Sequence, residues 1–228
     1  MTYSEDKTVA ISGLQDRLAS FYKTQSTYGI VHCYLHKSLL WQRSREERMQ
    51  RISHSSVVPS WSWMAYEGEI RYRTSDLRGL NWEHIQLITT AHDPRSDAQT
   101  LDILTAPVGR IAQSCRIEGS EDANSKIRDA EGHLVGWIRY DCESEDNIER
   151  LGCIAVAQHR YRHHGWAVLG EDADTWKKYA GVSWDEKLVP GDVHYVLLLK
   201  RMAQEVYRRV GVAVIQSRQL SFEPLFKV

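Results

Sequence analysis

The densest group of side chains able to hold a metal is Gln158-His159-Arg160-Tyr161-Arg162-His163-His164. His159 and His163 have the spacing that puts two imidazoles on one face of a helix. The segment reads instead as a strand end running into a loop. Arg160 and Arg162 would repel a cation, and no Cys or carboxylate stands at ligand spacing to complete a set. The expectation is a basic, pH-sensitive loop with no metal and no cofactor. His32 and His36 flank Cys33, and on a strand the two imidazoles share a face. A Cys–His nucleophile also needs contact, an orienting third group and an oxyanion site, and the sequence offers no sign of these. G-x-S-x-G, Walker, H-E-x-x-H and dinucleotide fingerprints are absent. Arg43, Arg45, Arg48 and Arg51 are diluted by Glu46 and Glu47. Nucleic-acid binding calls for a broader basic face with stacking aromatics, so residues 42–54 read as a solvated loop.

Aromatic residues offer the other chemistry. Eight Trp and eleven Tyr stand against three Phe. Indole and phenol combine a large apolar body with a polar tip, which suits half-buried walls and interfaces. Pro59-Ser60-Trp61-Ser62-Trp63 concentrates two of them. Proline fixes the entry to an edge strand, and two Trp residues two apart on that strand point the same way. With Trp41 and Tyr66 they form either a core or a wall facing a ligand or partner. Trp41, Trp61, Trp63, Tyr66, His32 and His36 are therefore the ligand-binding candidates; catalytic residues are unassigned.

These side chains need elements to position them. Val9, Ile11, Leu14, Leu18, Phe21 and Tyr22 recur at helical spacing, predicting an amphipathic helix over 8–24. From residue 29 the pattern changes to short alternating runs. Strands are expected at 30–35, 38–41, 60–66, 69–74, 82–89, 100–104, 110–117, 134–140, 152–158 and 166–169. A short helix is expected at 172–179. Residues 193–199 and 206–215 bracket a turn near Ala203 and read as a hairpin. Strands alternate with turns rather than helices. The fold class is mostly β: an antiparallel sandwich or barrel-like sheet with one N-terminal helix, in a single domain spanning 1–228.

Composition fits that class. The chain has 228 residues, 42% hydrophobic and 26% charged, with a net charge of −1. Such a balance gives no general attraction to nucleic acid or anionic lipid. No apolar run reaches the length of a membrane span, and residues 1–15 do not resemble a secretory signal. Cys33, Cys115, Cys142 and Cys153 lie far apart, favouring reduced thiols and a cytoplasmic location.

The order of several short motifs resembles a known family. Asp6-Lys7, Ile11-Ser12-Gly13-Leu14, Tyr28-Gly29-Ile30 and Ser38-Leu39-Leu40-Trp41 precede Pro59-Ser60-Trp61-Ser62-Trp63. This is similar to the region that follows the HET domain in fungal heterokaryon-incompatibility proteins, which reads D-K-x-x-A-L-S-G-L-A, S-L-L-W and A-P-S-W-S-W-A-S. The strands at 101–111, 132–140 and 195–215 resemble later family segments more loosely. The HET domain, with its W-T-x-Q-E-R core, is absent, and the usual G-L-W is lost near Gly29. The resemblance implies a β-region without the family's cell-death signalling. Two functions follow as expectations. One is a non-catalytic β-domain that binds a protein partner or small apolar ligand through a Trp/Tyr-rich surface. The other is a cofactor-independent isomerase or cyclase acting on an apolar fungal metabolite. A flat exposed aromatic patch would favour the first, and a pocket holding a His or carboxylate the second.

Overall fold

The computed structural model describes residues 6–44, 48–52, 58–72, 80–89, 102–119, 124–142, 147–159, 192–203 and 206–222. Its centre is an antiparallel hairpin of two long strands, β15 (Val193–Ala203) and β16 (Val206–Gln216). Their β-branched and leucine-rich sequences suit strands buried on both faces. On one side of this hairpin come β13 (Leu134–Tyr140), β12 (Ser125–Arg128) and β11 (Arg116–Glu118). On the other come β14 (Leu151–His159), β10 (Gly109–Ile111) and β17 (Leu220–Phe222), with β7 (Leu80–Trp82) pairing further along β14. The sheet is antiparallel throughout and curls into a half-barrel, as the strand periodicity predicts.

Curling gives the sheet an inner and an outer face. Ile117 and Leu220 come from opposite ends of the strand order, yet both pack on one cluster with Ile111, Ile138, Val196, Leu198 and Ile215. That cluster is the inner face. The outer face carries Trp137, Val156, Tyr195, Leu197 and Val214. It is covered by Ile30, Leu35, Leu39, Leu40 and Trp61 from the N-terminal part of the chain.

The covering layer differs from its sequence reading. The expected helix runs from Asp6 to Tyr22 (α1) and contacts chiefly a small hairpin, β1 (Ser26–Thr27) and β2 (Ile30–Val31). Residues 30–35 are not one strand. After β2 the chain enters a 3-10 turn, His32–Tyr34, and then α2 (Leu35–Leu39). Leu35 and Leu39, four apart, are both buried; that spacing suits a helix lying on a sheet. His32 and His36 thus share no strand face. Residues 60–66 are not a strand either. The Ser62 side chain accepts from the Met64 N–H at 3.0 Å and starts a 3-10 turn, Trp63–Ala65. Local side-chain capping outcompetes the extended backbone here.

The solvated loop expected at 42–54 is also corrected. Arg43 belongs to β3 (Trp41–Arg43), is buried, and donates from Nε to the Tyr140 carbonyl at 2.9 Å. Strand β3 pairs with β6 (Ile70–Tyr72), and β4 (Gln50–Arg51) pairs with β5 (Tyr66–Glu67). Met49 between them is buried. The strand expected at 110–117 divides, Ile111 and Arg116 ending and beginning separate strands. A further ladder joins β8 (Gln86–Thr89) to β9 (Asp102–Thr105). Residues 134–140 and the terminal hairpin follow their predicted strands, the hairpin being longer. The elements expected at 166–169 and 172–179 lie outside the described residues.

Candidate functional site

Trp41, Trp61 and Tyr66 are interior residues and present no open surface. They join the covering layer to the sheet around one buried cation, Arg209 of β16. Its Nε donates to Asp141 Oδ2 at 2.9 Å, Nη1 to the Leu39 carbonyl at 2.7 Å and Nη2 to the Trp41 carbonyl at 2.6 Å. The guanidinium carbon lies 3.5 Å from the centre of the Trp41 ring. Trp41 Nε1 donates to the Trp61 carbonyl at 2.9 Å, and the Ser60 hydroxyl accepts from Arg209 N at 3.1 Å. Burial pushes the Asp141 carboxyl above its usual range, and Arg209 opposes that shift. Burial, then the Asp141 charge, pushes the Tyr66 phenol far up. Trp63 is half-buried, with Nε1 3.3 Å from the Gly29 carbonyl. The Pro59–Trp63 motif is therefore an anchor, with the side chains of Ser60, Ser62 and Trp63 hydrogen-bonded internally.

The exposed aromatic surface lies elsewhere. Phe21 at the end of α1 is 77% exposed. Its ring meets Tyr22 edge-on at 4.9 Å, and Tyr22 meets Tyr34 edge-on at 5.1 Å. Lys37 Nζ stands 5.5 Å from the Tyr34 ring centre. Leu14, one helical face with Leu18 and Phe21, is 57% exposed. Among described residues 11–37, the exposed charges are Arg17, Lys23 and Lys37 against Asp16. The result is an apolar, aromatic patch with a mainly basic margin. Partial desolvation, then Tyr22, pushes the Tyr34 phenol up.

Of the two expected histidines, His32 hydrogen-bonds Thr27 Oγ1 at 2.9 Å, closing the β1–β2 hairpin locally. His36 reaches the sheet edge. Its Nε2 lies 2.6 Å from the Glu83 carbonyl, and its ring packs on Trp82 at 5.5 Å. Glu83 turns its carboxylate to the inner face, where Oε1 lies 3.6 Å from Nε2 of the buried His194. A bulge in β14 between Ala155 and Ala157 resets the alternation, so Gln158 joins this face. Asn81, Gln158 and His194 consequently form a row across β7, β14 and β15. The Phe222 ring packs 5.7 Å from His194. Burial pulls the His194 imidazole below its usual range, with Glu83 opposing.

His36 was the sequence's pointer to this edge; Glu83, His194 and Phe222 carried no motif. His159 ends β14, and His163 and His164 lie outside the described residues. Elsewhere, Asp129, Glu131 and His133 bring ligand atoms within 4.8 Å of one another. Asp129 is already engaged by the His133 N–H at 2.8 Å and by Arg218 at 3.5 Å, so it holds a turn. Cys153 is pushed up to about 12 by burial and Cys115 to about 11, which makes both poor nucleophiles. No described helix is long and apolar enough to cross a membrane. No family model, curated protein or solved structure matches the chain.

Proposed function

We propose that this chain is a non-catalytic binding domain that docks a protein partner through Phe21, Tyr22, Tyr34 and Leu14, and that it is akin to the β-region of HET-type proteins. The observation that carries the reading is Phe21, 77% exposed while joined in an edge-to-face chain with two exposed tyrosines. Single exposed apolar residues are ordinary, but contiguous aromatic patches with a polar margin mark interfaces. Aromatic side chains in such patches carry much of the binding energy. The basic margin of Arg17, Lys23 and Lys37 suits an apolar partner surface flanked by acidic groups. The kinship rests on the Pro59–Trp63 element and the motifs that precede it.

A photoreactive phenylalanine placed singly at positions 21, 34 and 118 tests this in the source cells. The reading expects a discrete adduct at position 21 and at position 34, and none at Glu118, which is exposed on β11. Equal labelling at all three positions would defeat it.

A further inference from the structure

The inner-face edge offers a second site, unrelated to the aromatic patch. Glu83 is an acceptor and lies next to Nε2 of His194. The neutral imidazole therefore carries its proton on Nε2 and its lone pair on Nδ1. Nδ1 is buried and has no hydrogen-bond partner among the described residues. An unpaired buried acceptor is costly, and nearly all such groups in folded proteins are satisfied. The imidazole ends a polar row that runs from Asn81 through Gln158, and the ring of Phe222, which is more than a third exposed, packs beside it. The backbone of Glu83 is held on both sides, its carbonyl by His36 and its N–H by the Val156 carbonyl at 3.0 Å, which fixes where its side chain starts.

We propose that this edge binds a small aromatic ligand bearing a hydroxyl, which donates to His194 Nδ1 while its ring takes the place of Phe222 beside the imidazole. The three requirements are a donor, an apolar ring and small size. The donor matches the lone pair that Glu83 fixes on Nδ1. The ring matches the surface that Phe222 now covers. Small size follows because Phe222 is the side chain that must move aside, and one ring displaces one ring. A metal ion would need further ligands beside Nδ1, and among the described residues His194 belongs to no group of three ligand side chains.

Phenol and toluene are the probes, titrated into the intact chain while the His194 ring nitrogens are followed by nuclear magnetic resonance. The free chain should show the proton on Nε2. Phenol should shift Nδ1 saturably and bind about tenfold more tightly than toluene, equivalent to about 1.4 kcal/mol. In His194→Phe, which removes the acceptor, phenol should lose that advantage over toluene. Glu83→Leu should weaken phenol binding severalfold by releasing the tautomer, with the fold checked by retained spectral dispersion. The proposal is overturned if phenol causes no saturable shift at Nδ1, if toluene binds equally well, or if the free ring carries its proton on Nδ1. The readings on the intact chain decide the matter even where a variant fails to fold.

Discussion

Arg209→Met should be the most damaging single change in the sheet. The variant keeps the stem and loses the guanidinium. Asp141 then stays buried without its partner, and the Leu39 and Trp41 carbonyls lose their donors. Removing one member of a buried ion pair costs about 3–5 kcal/mol. Each orphaned buried acceptor adds about 1–3 kcal/mol, less where water enters. The expected loss is about 5 kcal/mol or more, which rivals the roughly 5–15 kcal/mol that holds a typical domain together. Urea unfolding followed by tryptophan fluorescence measures it. The pH dependence of the variant has a definite sign. Asp141 already titrates above its usual range, and losing Arg209 raises it further. A raised carboxyl contributes stability that is present below the unfolded value and lost as pH rises through the folded one. Arg209→Met should thus be least destabilised in mild acid. Arg209→Met with Asp141→Leu should recover several kcal/mol, because two apolar groups replace the pair instead of stranding one charge. A loss under about 1 kcal/mol, or a double variant no more stable than the single one, would refute the account of this anchor.

Two further outcomes are expected. Gly29 has φ +79°, and a Cβ there would lie 2.5 Å from Trp63 Nε1; Gly29→Ala should therefore cost about 2 kcal/mol or more, read as a lower urea midpoint, and an unchanged midpoint would deny the contact. His194 titrates below the unfolded histidine value, so the unfolded chain binds protons first as pH falls below about 6.5. The urea midpoint should be flat above that pH and fall beneath it, and His194→Gln should reduce the slope.

The long strands were legible because their patterns are long. Residues 134–140 and the terminal hairpin carry long, mostly apolar runs, and pairing only has to align them. Short segments obeyed other forces. Leu35 and Leu39 fit either a strand or a helix, and burial on the outer face of the sheet, where α2 lies against β14, selects the helix. Trp61 and Trp63 fit a strand by spacing, but the Ser62 hydroxyl forms a turn and donates to the Tyr28 carbonyl at 2.6 Å. Arg43 read as part of a solvated loop and Arg209 lay in a strand with no signal of its own, since an arginine is rarely buried without partners; their partners come from distant segments that no local pattern reveals. The edge site depends on a one-residue bulge in β14, which turns Gln158 to the face of His194. The helix 8–24 was legible as an apolar stripe. Which of those residues would stay uncovered was not, because exposure is decided by what the rest of the chain places over them.

Hydroxyl-radical footprinting in living source cells, compared with the purified chain, tests the binding surface most directly. Tyr72 and Trp82 have nearly the same exposure as Tyr22 and Tyr34 and lie outside the patch, so they serve as internal standards. A docked partner should lower oxidation of Phe21, Tyr22 and Tyr34 severalfold in cells while leaving Tyr72 and Trp82 unchanged. Equal oxidation of all five residues in cells and in the purified chain would contradict the proposed function.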